Sequence, residues 1–438
     1  MPVYLALVCL LMASLSSAAV KLSAVRGAIF KIRVRSVAPD YRLPWLTQDS
    51  RSSSGSGFYI GQGRILTNAH VIAHGRYIAV QREGKAQEAV AYVEFVAHDS
   101  DLAILKLKDD SLLKGVKPLI FGALPKVQSP VSTVGFPTGG DQLSITEGIV
   151  SRLSFRRYVH TYVHKHLLVQ VDSAINPGNS GGPVLQDNRV VGVAFQSFRS
   201  AENTGYIIPV PVISRFLKDI EDGIYDGHPS LGFVYMKGAL RNQGTADFYG
   251  VEHGKYGVKI ESIMRGSALR KSLRVGDLLL AIDKVPIGVD GKIMLGQERV
   301  EFEVLVDLKQ VGQPISYSII RNRRRYRVKG LAEKDRGFYQ GNYYQNYPPY
   351  LVLGGLVFTT LSRNYLSSWG QGWYQRAPLD LRYPYYHSAY DPKLSFHRDF
   401  IVLAKVLRHQ VNVDVDQEQV VVASVNGTPA YSYDAFVE

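Results

Sequence analysis

The segment that most restricts this chain runs from Asp172 to Pro183 and reads DSAINPGNSGGP. Ser180 stands in it among Gly178, Gly181 and Gly182, where missing side chains let the backbone turn tightly. A nucleophilic serine needs such a turn. Its own N–H and that of a nearby glycine must both point at a developing oxyanion, each donor contributing ~3–4 kcal/mol. Gly178 and Ser180 are the candidate donors, with Asn179 between them. The GNSGG string also fits the G-x-S-x-G elbow of α/β-hydrolases, which demands a helix directly after the serine. Here two apolar runs, PVLQ and RVVGV, flank Asp187-Asn188 instead, and that pattern predicts a hairpin.

On either side of this segment, from about 23 to 210, short β-branched and aromatic runs are broken by Gly, Pro, Asn and Asp. GFYI, RYIAV, LAILKL, VSTVGF, LLVQV and VVGVAFQ are examples. Many short strands with frequent turns predict an all-β barrel or sandwich. The period changes at Pro211 to Asp222, where Val212, Ile213, Phe216, Leu217 and Ile220 share one helical face. That helix closes the first domain, and Gly223 to Pro229 reads as a linker. A serine nucleophile requires a base, and the base requires a carboxylate to orient it. His70 lies in LTNAHVI and Asp101 opens DLAILKL, so the order is His, Asp, Ser. Taken singly these are a packed histidine, a turn aspartate and a glycine-rich loop; in this order they form a candidate triad.

The landmarks resemble those of the HtrA/Deg family of trypsin-like serine proteases. SGSGFYI, TNAHV, DLAIL, GFPTGG, INPGNSGGP and NTGYIIPV occur in sequence order over about 54 to 210. The resemblance implies a mainly β fold, with a trypsin-like double β-barrel over 23–222 followed by PDZ-like α+β domains. His70 and Asp101 would sit on the first barrel and Ser180 on the second. It further implies His70 as general base, Asp101 as its orienter and Ser180 as nucleophile. The oxyanion hole would comprise Gly178, Asn179 and Ser180. A loop from Ser197 to Tyr206, including Thr204 and Gly205, would line the primary specificity pocket. No metal and no nucleotide or other cofactor is required. Unfolded or damaged proteins are the implied substrates, and trimers or larger cages the implied assembly. The aromatic segment Tyr41 to Trp45 packs between subunits or covers its own barrel. A chaperone or peptide-binding adaptor with a resting site is the alternative.

From 230 to about 330 strands return, with a helix expected near Gln297 to Lys309 because Val300, Val304, Leu305 and Leu308 form one stripe. This block resembles a PDZ domain. Leu231, Gly232 and Phe233 would receive a peptide C-terminus, and Arg274 to Leu280 would enter a strand. The helix would wall a groove in which a peptide adds to the sheet edge. The other reading is a small α+β domain whose edge is covered. A Tyr- and Asn-rich connector at 338–350 carries no implied chemistry. Residues 351–438 partly repeat the second block. A shift of 143 residues carries Val258, Ile260, Ile263 and Met264 onto Ile401, Leu403, Val406 and Leu407. The same shift carries Ile282, Asp283 and Pro286 onto Val425, Asn426 and Pro429. This predicts a second, degenerate or truncated PDZ-like domain, with Leu353 to Phe358 as its carboxylate loop.

Length and composition fit this division. A chain of 438 residues accommodates about three domains, and 46% hydrophobic with 20% charged residues argues against bulk disorder. Val3 to Val20 carry no charge and end in small residues, resembling a secretory signal over 1–19. That implies a periplasmic or secreted protein. The single cysteine, Cys9, falls inside this leader, so the remainder has neither a disulfide nor a thiolate metal site. Net charge is +13, with a dense run RNRRRYR from Arg321 to Arg327. It reads as a solvated strand or turn, and no nucleic acid is expected. His160, His164 and His166 lack a carboxylate at helical spacing and read as scattered imidazoles in a loop.

Overall fold

The computed structural model describes residues 22–438 apart from 139, 198–203, 265, 335–342, 345, 389, 390 and 395. The proposed leader therefore lies outside the described residues. β1 (Ile29–Ser36), β2 (Arg51–Gly61), β3 (Arg64–Thr67), β4 (Gly75–Arg82), β5 (Glu88–Ala97) and β6 (Leu102–Leu107) close into a first barrel. β7 (Pro130–Gly135), β8 (Ser144–Arg157), β9 (Lys165–Val171), β10 (Pro183–Gln186), β11 (Arg189–Ser197) and β12 (Gly205–Pro209) close into a second. The first encloses Phe30, Ile32, Ile65, Val80, Ala103 and Leu105, each fully buried. β10 and β11 meet at Asp187 and Asn188, both with φ in the left-handed region (50° and 59°). That is the two-residue hairpin expected there, and it removes the α/β-hydrolase elbow.

The predicted closing helix spans Val210–Asp219 and buries Val212, Ile213 and Phe216. The segment after it is docked rather than a free linker. Tyr225 Oη donates to Asp99 Oδ1 at 2.5 Å, and Gly227 and His228 are buried. Next, β13 (Phe233–Met236), β14 (Val258–Ile263), β15 (Leu278–Ile282), β19 (Pro314–Arg321) and β20 (Arg324–Leu331) form an antiparallel sheet, with β16 (Val285–Pro286) paired to β15.

The helix expected at 297–309 is reduced to one turn, Val304–Asp307. Residues before it form a hairpin of β17 (Lys292–Leu295) and β18 (Glu298–Glu301). Val300 and Phe302 point into the core while Arg299 does not, so a period of two overrides the helical stripe. RNRRRYR turns at Asn322-Arg323 between β19 and β20, its side chains from Asn322 to Arg327 exposed.

In the last block, β21 (Tyr350–Leu353), β22 (Leu356–Thr360), β23 (Ile401–Val406) and β24 (Val420–Val421) make a four-stranded sheet. The shift of 143 carries β14 onto β23 residue for residue. It also carries the left-handed pair Asp283-Lys284 onto Asn426-Gly427. Gly354 and Gly355 (φ 58° and 80°) close the β21–β22 hairpin, with Leu353 paired to Leu356. Their main chain makes the turn of that hairpin, which lies within the segment suggested as a second carboxylate loop. Tyr41 is buried among Leu361, Tyr365 and Leu366, and its hydroxyl donates to the Tyr343 carbonyl at 3.1 Å. Arg42 lies 4.3 Å over the Trp369 ring. The 41–45 segment thus packs on the last block of its own chain, an arrangement neither sequence alternative anticipated.

Candidate active site

His70 rides on one helical turn, Ala69–Ile72, anchored by the buried Ala69, Val71 and Ile72. The preceding Asn68 leaves the turn uncapped and sends its Nδ2 to the Asp101 carbonyl at 2.9 Å. Asp101 has φ of 52°, a left-handed conformation that costs a non-glycine residue about 1–3 kcal/mol. Its bonds offset that cost. Oδ1 accepts the His70 backbone N–H at 2.6 Å, and Oδ2 lies 2.6 Å from His70 Nδ1. Asp101 is fully buried, while a third of the His70 side chain reaches solvent. Burial opposes the imidazolium, but the adjacent Asp101 carboxylate outweighs it and raises His70 above the usual range. Burial likewise pushes Asp101 up, and His70 and His160 outweigh it and hold the carboxyl below its ordinary value. With Nδ1–H committed to Asp101, Nε2 is the nitrogen left to take a proton.

Ser180 arrives from the second barrel. Gly178 has φ of 99°, and a Cβ there would fall on the Phe136 carbonyl oxygen and lie 2.6 Å from Thr138 N. At Gly181, φ 84°, a Cβ would overlap Ser56 O and Thr67 Oγ1. Only glycine fits either place. Ser180 Oγ donates to the Phe195 carbonyl at 3.2 Å. Among the described residues no hydrogen bond joins it to His70, so proton transfer requires the serine to rotate. Among the described residues, the Gly178 and Ser180 N–H groups have no protein acceptor. Asn179 N–H donates to Asn176 O at 3.0 Å and is thereby removed from the predicted hole. His70, Gly178 and Ser180 share one open cleft of about 1170 Å³ with Thr138, Lys31 and Arg33.

Sequence reasoning passed over Ser56. Fully buried, it donates from Oγ to the Gly178 carbonyl at 2.7 Å and accepts the Phe136 N–H at 2.8 Å. Its signal was the alternation of small residues in SGSG. The connector, read as chemically silent, also contributes. Tyr344 stacks on His98 and His160 with ring centroids 3.8 and 4.4 Å away, and its hydroxyl donates to the His160 carbonyl at 3.1 Å. The His160 ring is 6.2 Å from that of His70. Burial pushes His160 down to about 3, against the pull of Asp101 and with help from His98. His166 is no loop residue either. It lies buried in β9, 2.8 Å from Asp307 Oδ1, a carboxylate 141 positions away that local spacing cannot reveal.

Gly205 and Tyr206 stand in β12, paired with Val171 and Gln170, and Tyr206 is buried. The predicted specificity loop therefore ends by Thr204, and most of it (198–203) lies outside the described residues. Gly232 has φ of 71°, and its carbonyl accepts Met264 N–H at 2.9 Å. Leu231 and Phe233 border a groove along edge strand β13, opposite Phe155 and Lys165 of the second barrel.

The trypsin-like peptidase domain model matches residues 55–193, and a PDZ domain model matches 340–438. "Putative protease Do-like 13" of Arabidopsis thaliana is 33% identical over 343 residues, covering 78% of this chain and 70% of the relative. The chain belongs to the HtrA/Deg (Do-like) family of trypsin-like proteases. "Protease Do-like 2, chloroplastic" of the same plant is 34% identical over 412 residues, 92% of this chain. The chain spans 66% of that relative's length. Among solved structures, "HtrA-type protease AlgW with tripeptide" superposes with a TM-score of 0.53 at 22% identity, covering 71% of this chain and 94% of that one. At that identity it supports the fold alone. The PDZ model falls on the last block, which the sequence had given the weaker claim. No described helix is long and apolar enough to cross a membrane.

Proposed function

We propose that this chain is a serine endopeptidase that cleaves unfolded or damaged proteins with His70, Asp101 and Ser180. The observation that carries the reading is the short His70–Asp101 pair opening into the same cleft as Ser180 and two uncommitted N–H donors. In the reaction, Ser180 turns from the Phe195 carbonyl toward His70 Nε2. His70 takes the hydroxyl proton as Oγ attacks the scissile carbonyl, and Asp101 stabilises the resulting imidazolium. The N–H groups of Gly178 and Ser180 receive the oxyanion. His70 then returns the proton to the leaving amine, and water hydrolyses the acyl-enzyme by the same route. Thr204 contributes to the specificity wall, with Gly205 and Tyr206 supporting it from β12.

Residues 230–330 act as a first PDZ unit, with Leu231, Gly232 and Phe233 receiving a peptide C-terminus. The last block is a second such unit. As in proteins of this class, peptide engagement and homo-oligomer formation regulate turnover. The uncharged stretch from Val3 to Val20, closed by small residues, supports export from the cytoplasm. The names of several relatives place those proteins in chloroplasts or mitochondria. Fusing residues 1–22 to a reporter decides between the two routes.

The test of activity is casein cleavage together with fluorophosphonate labelling, compared between the wild type and Ser180→Ala. Loss of both in the variant is the expected result. One observation favours a second reading, a peptide-binding adaptor with a resting site: Ser180 Oγ is engaged by Phe195. A wild type that neither cleaves nor labels, even with C-terminal peptides added, selects that reading.

A further inference from the structure

The open side of the cleft beside Ser180 carries a row of cations that the triad does not use. β1 turns Phe30, Ile32 and Val34 into the first barrel and Lys31, Arg33 and Arg35 away from it. β2 runs antiparallel beside it, with Ser56, Ser54 and Ser52 opposite those three residues. Serines are too short to cover them. All three basic side chains line the cleft that holds Ser180, against one lining carboxylate, Glu88. Lys31 Nζ is 2.6 Å from Asp141 Oδ1, and Arg33 is shared between Glu88 at 2.9 Å and Asp141 at 3.1 Å. Arg35 is exposed and has no carboxylate partner among the described residues.

The same stretch of β2 offers a main-chain edge. On its other side β2 pairs with β3, and only from Phe58 onward. Ser56 faces that side, since its N–H donates to the Ser180 carbonyl at 2.8 Å and its carbonyl accepts from Thr67 Oγ1 at 2.7 Å. Main-chain groups repeat their direction every second residue in an antiparallel ladder, so Ser54 and Ser52 present theirs to the open side. At about 3.3 Å per residue they lie about 7 and about 13 Å beyond Ser56. An extended chain leaving Ser180 along this edge passes Arg33 after about two residues and Arg35 after about four. Thr204 to Tyr206, the proposed specificity wall for the acyl side, line no part of this cleft. The leaving-group side of a substrate is therefore the part that runs here.

We propose that Arg35, with Arg33 beside it, is a specificity-determining residue that selects substrates carrying Asp or Glu within about four residues after the scissile bond. The inference rests on Ser180 being the nucleophile. A carboxylate at that place gains a charge-assisted, bidentate partner that is otherwise unpaired, whereas a lysine meets like charge.

The test starts from the main site at which the wild type cuts casein, located by mass spectrometry. Internally quenched peptides reproduce that site with Glu, Gln or Lys at the second, third and fourth residues after the bond. Fluorophosphonate titration, which needs no leaving peptide, counts working sites in each preparation. kcat/KM should be about threefold to tenfold higher for Glu than for Gln, and lower again for Lys. Arg35→Gln should bring the Glu-to-Gln ratio to within about twofold of unity, and Arg35→Glu should invert the Glu-to-Lys order. Each readout is a ratio within one preparation, so partial misfolding of a variant does not alter it. Raising salt from about 0.05 to about 0.5 M should shrink the wild-type ratio, as exposed charges require. Equal rates for Glu, Gln and Lys, or a preference that survives both substitutions, overturn the proposal and leave the triad in place. A protein that labels but cuts neither casein nor the peptides overturns it as well. One that neither labels nor cuts removes the serine nucleophile, and this inference falls with it.

Discussion

Replacing Ser56 by alanine removes one hydroxyl from a place where nothing else can serve. Ser56 Oγ holds the Gly178 carbonyl at 2.7 Å and receives the Phe136 N–H at 2.8 Å, with no exposure to solvent. Alanine leaves one buried acceptor and one buried donor without partners. At about 1–3 kcal/mol for each of the two stranded groups, the loss in unfolding free energy should be about 2–6 kcal/mol. The site should suffer more than global stability suggests, because Gly178 is a proposed donor to the oxyanion. A shift of its peptide by about 1 Å is enough for about a hundredfold loss in rate. Urea denaturation gives the first quantity, and fluorophosphonate labelling at a temperature where the variant remains folded gives the second. The main-chain bond from Ser56 N to Ser180 O at 2.8 Å survives the substitution, so the nucleophile stays tethered and the two effects can be read apart. A variant within about 0.5 kcal/mol of wild type would mean that these two backbone groups find other partners, and the structural reasoning would fail.

Labelling should rise with pH along a single titration whose midpoint lies above 6.5, since Asp101 raises His70 and the base must be neutral to act. The stability contributed by this pair runs the opposite way. It is fully present below the unfolded imidazole value and is lost as pH climbs through the folded one. A midpoint at or below 6.5 contradicts the pairing. Arg321→Ala strips Nε and Nη2 from the buried Asp277 carboxylate. It should cost about 3 kcal/mol in urea unfolding, and Arg321→Lys should recover only part of this because the fork is lost. Tyr344→Ala should slow labelling about threefold to tenfold by loosening the histidine stack beside His70, with secondary structure by circular dichroism unchanged. An unchanged labelling rate denies the connector any role in positioning.

The chemistry of this molecule was written locally, and that is why so much of the site was legible. His70, Asp101 and Ser180 each lie in a short string whose glycines or apolar neighbours dictate one backbone path, and Gly178 and Gly181 admit no other residue. The hairpin at Asp187-Asn188 was readable for the same reason. Features that depend on distant partners were not. Nothing near His166 announces Asp307, and nothing near Tyr344 announces His98. The helix expected at 297–309 failed because Val300 and Leu308 satisfy two periodicities at once, and only the packing of β18 against β8 decides between them. The 143-residue repeat was visible because hairpin turns keep their left-handed residues even when the flanking side chains diverge.

The docked segment after the closing helix bears on how far the parts of this protein can be exchanged. Tyr225 and His228 reach back to Asp99, two positions before the aspartate of the proposed triad, and one hydrophobic core runs from the barrels through Phe233 to Tyr317. A protease cassette cut at Asp222 would surrender those bonds and open that core to water. Grafting a foreign recognition module at the same junction would do likewise. The smallest autonomous enzyme in this chain therefore ends no earlier than the sheet closed by Leu331, and a chimaera designed at the apparent domain boundary should inherit the fold of its catalytic half without its rigidity.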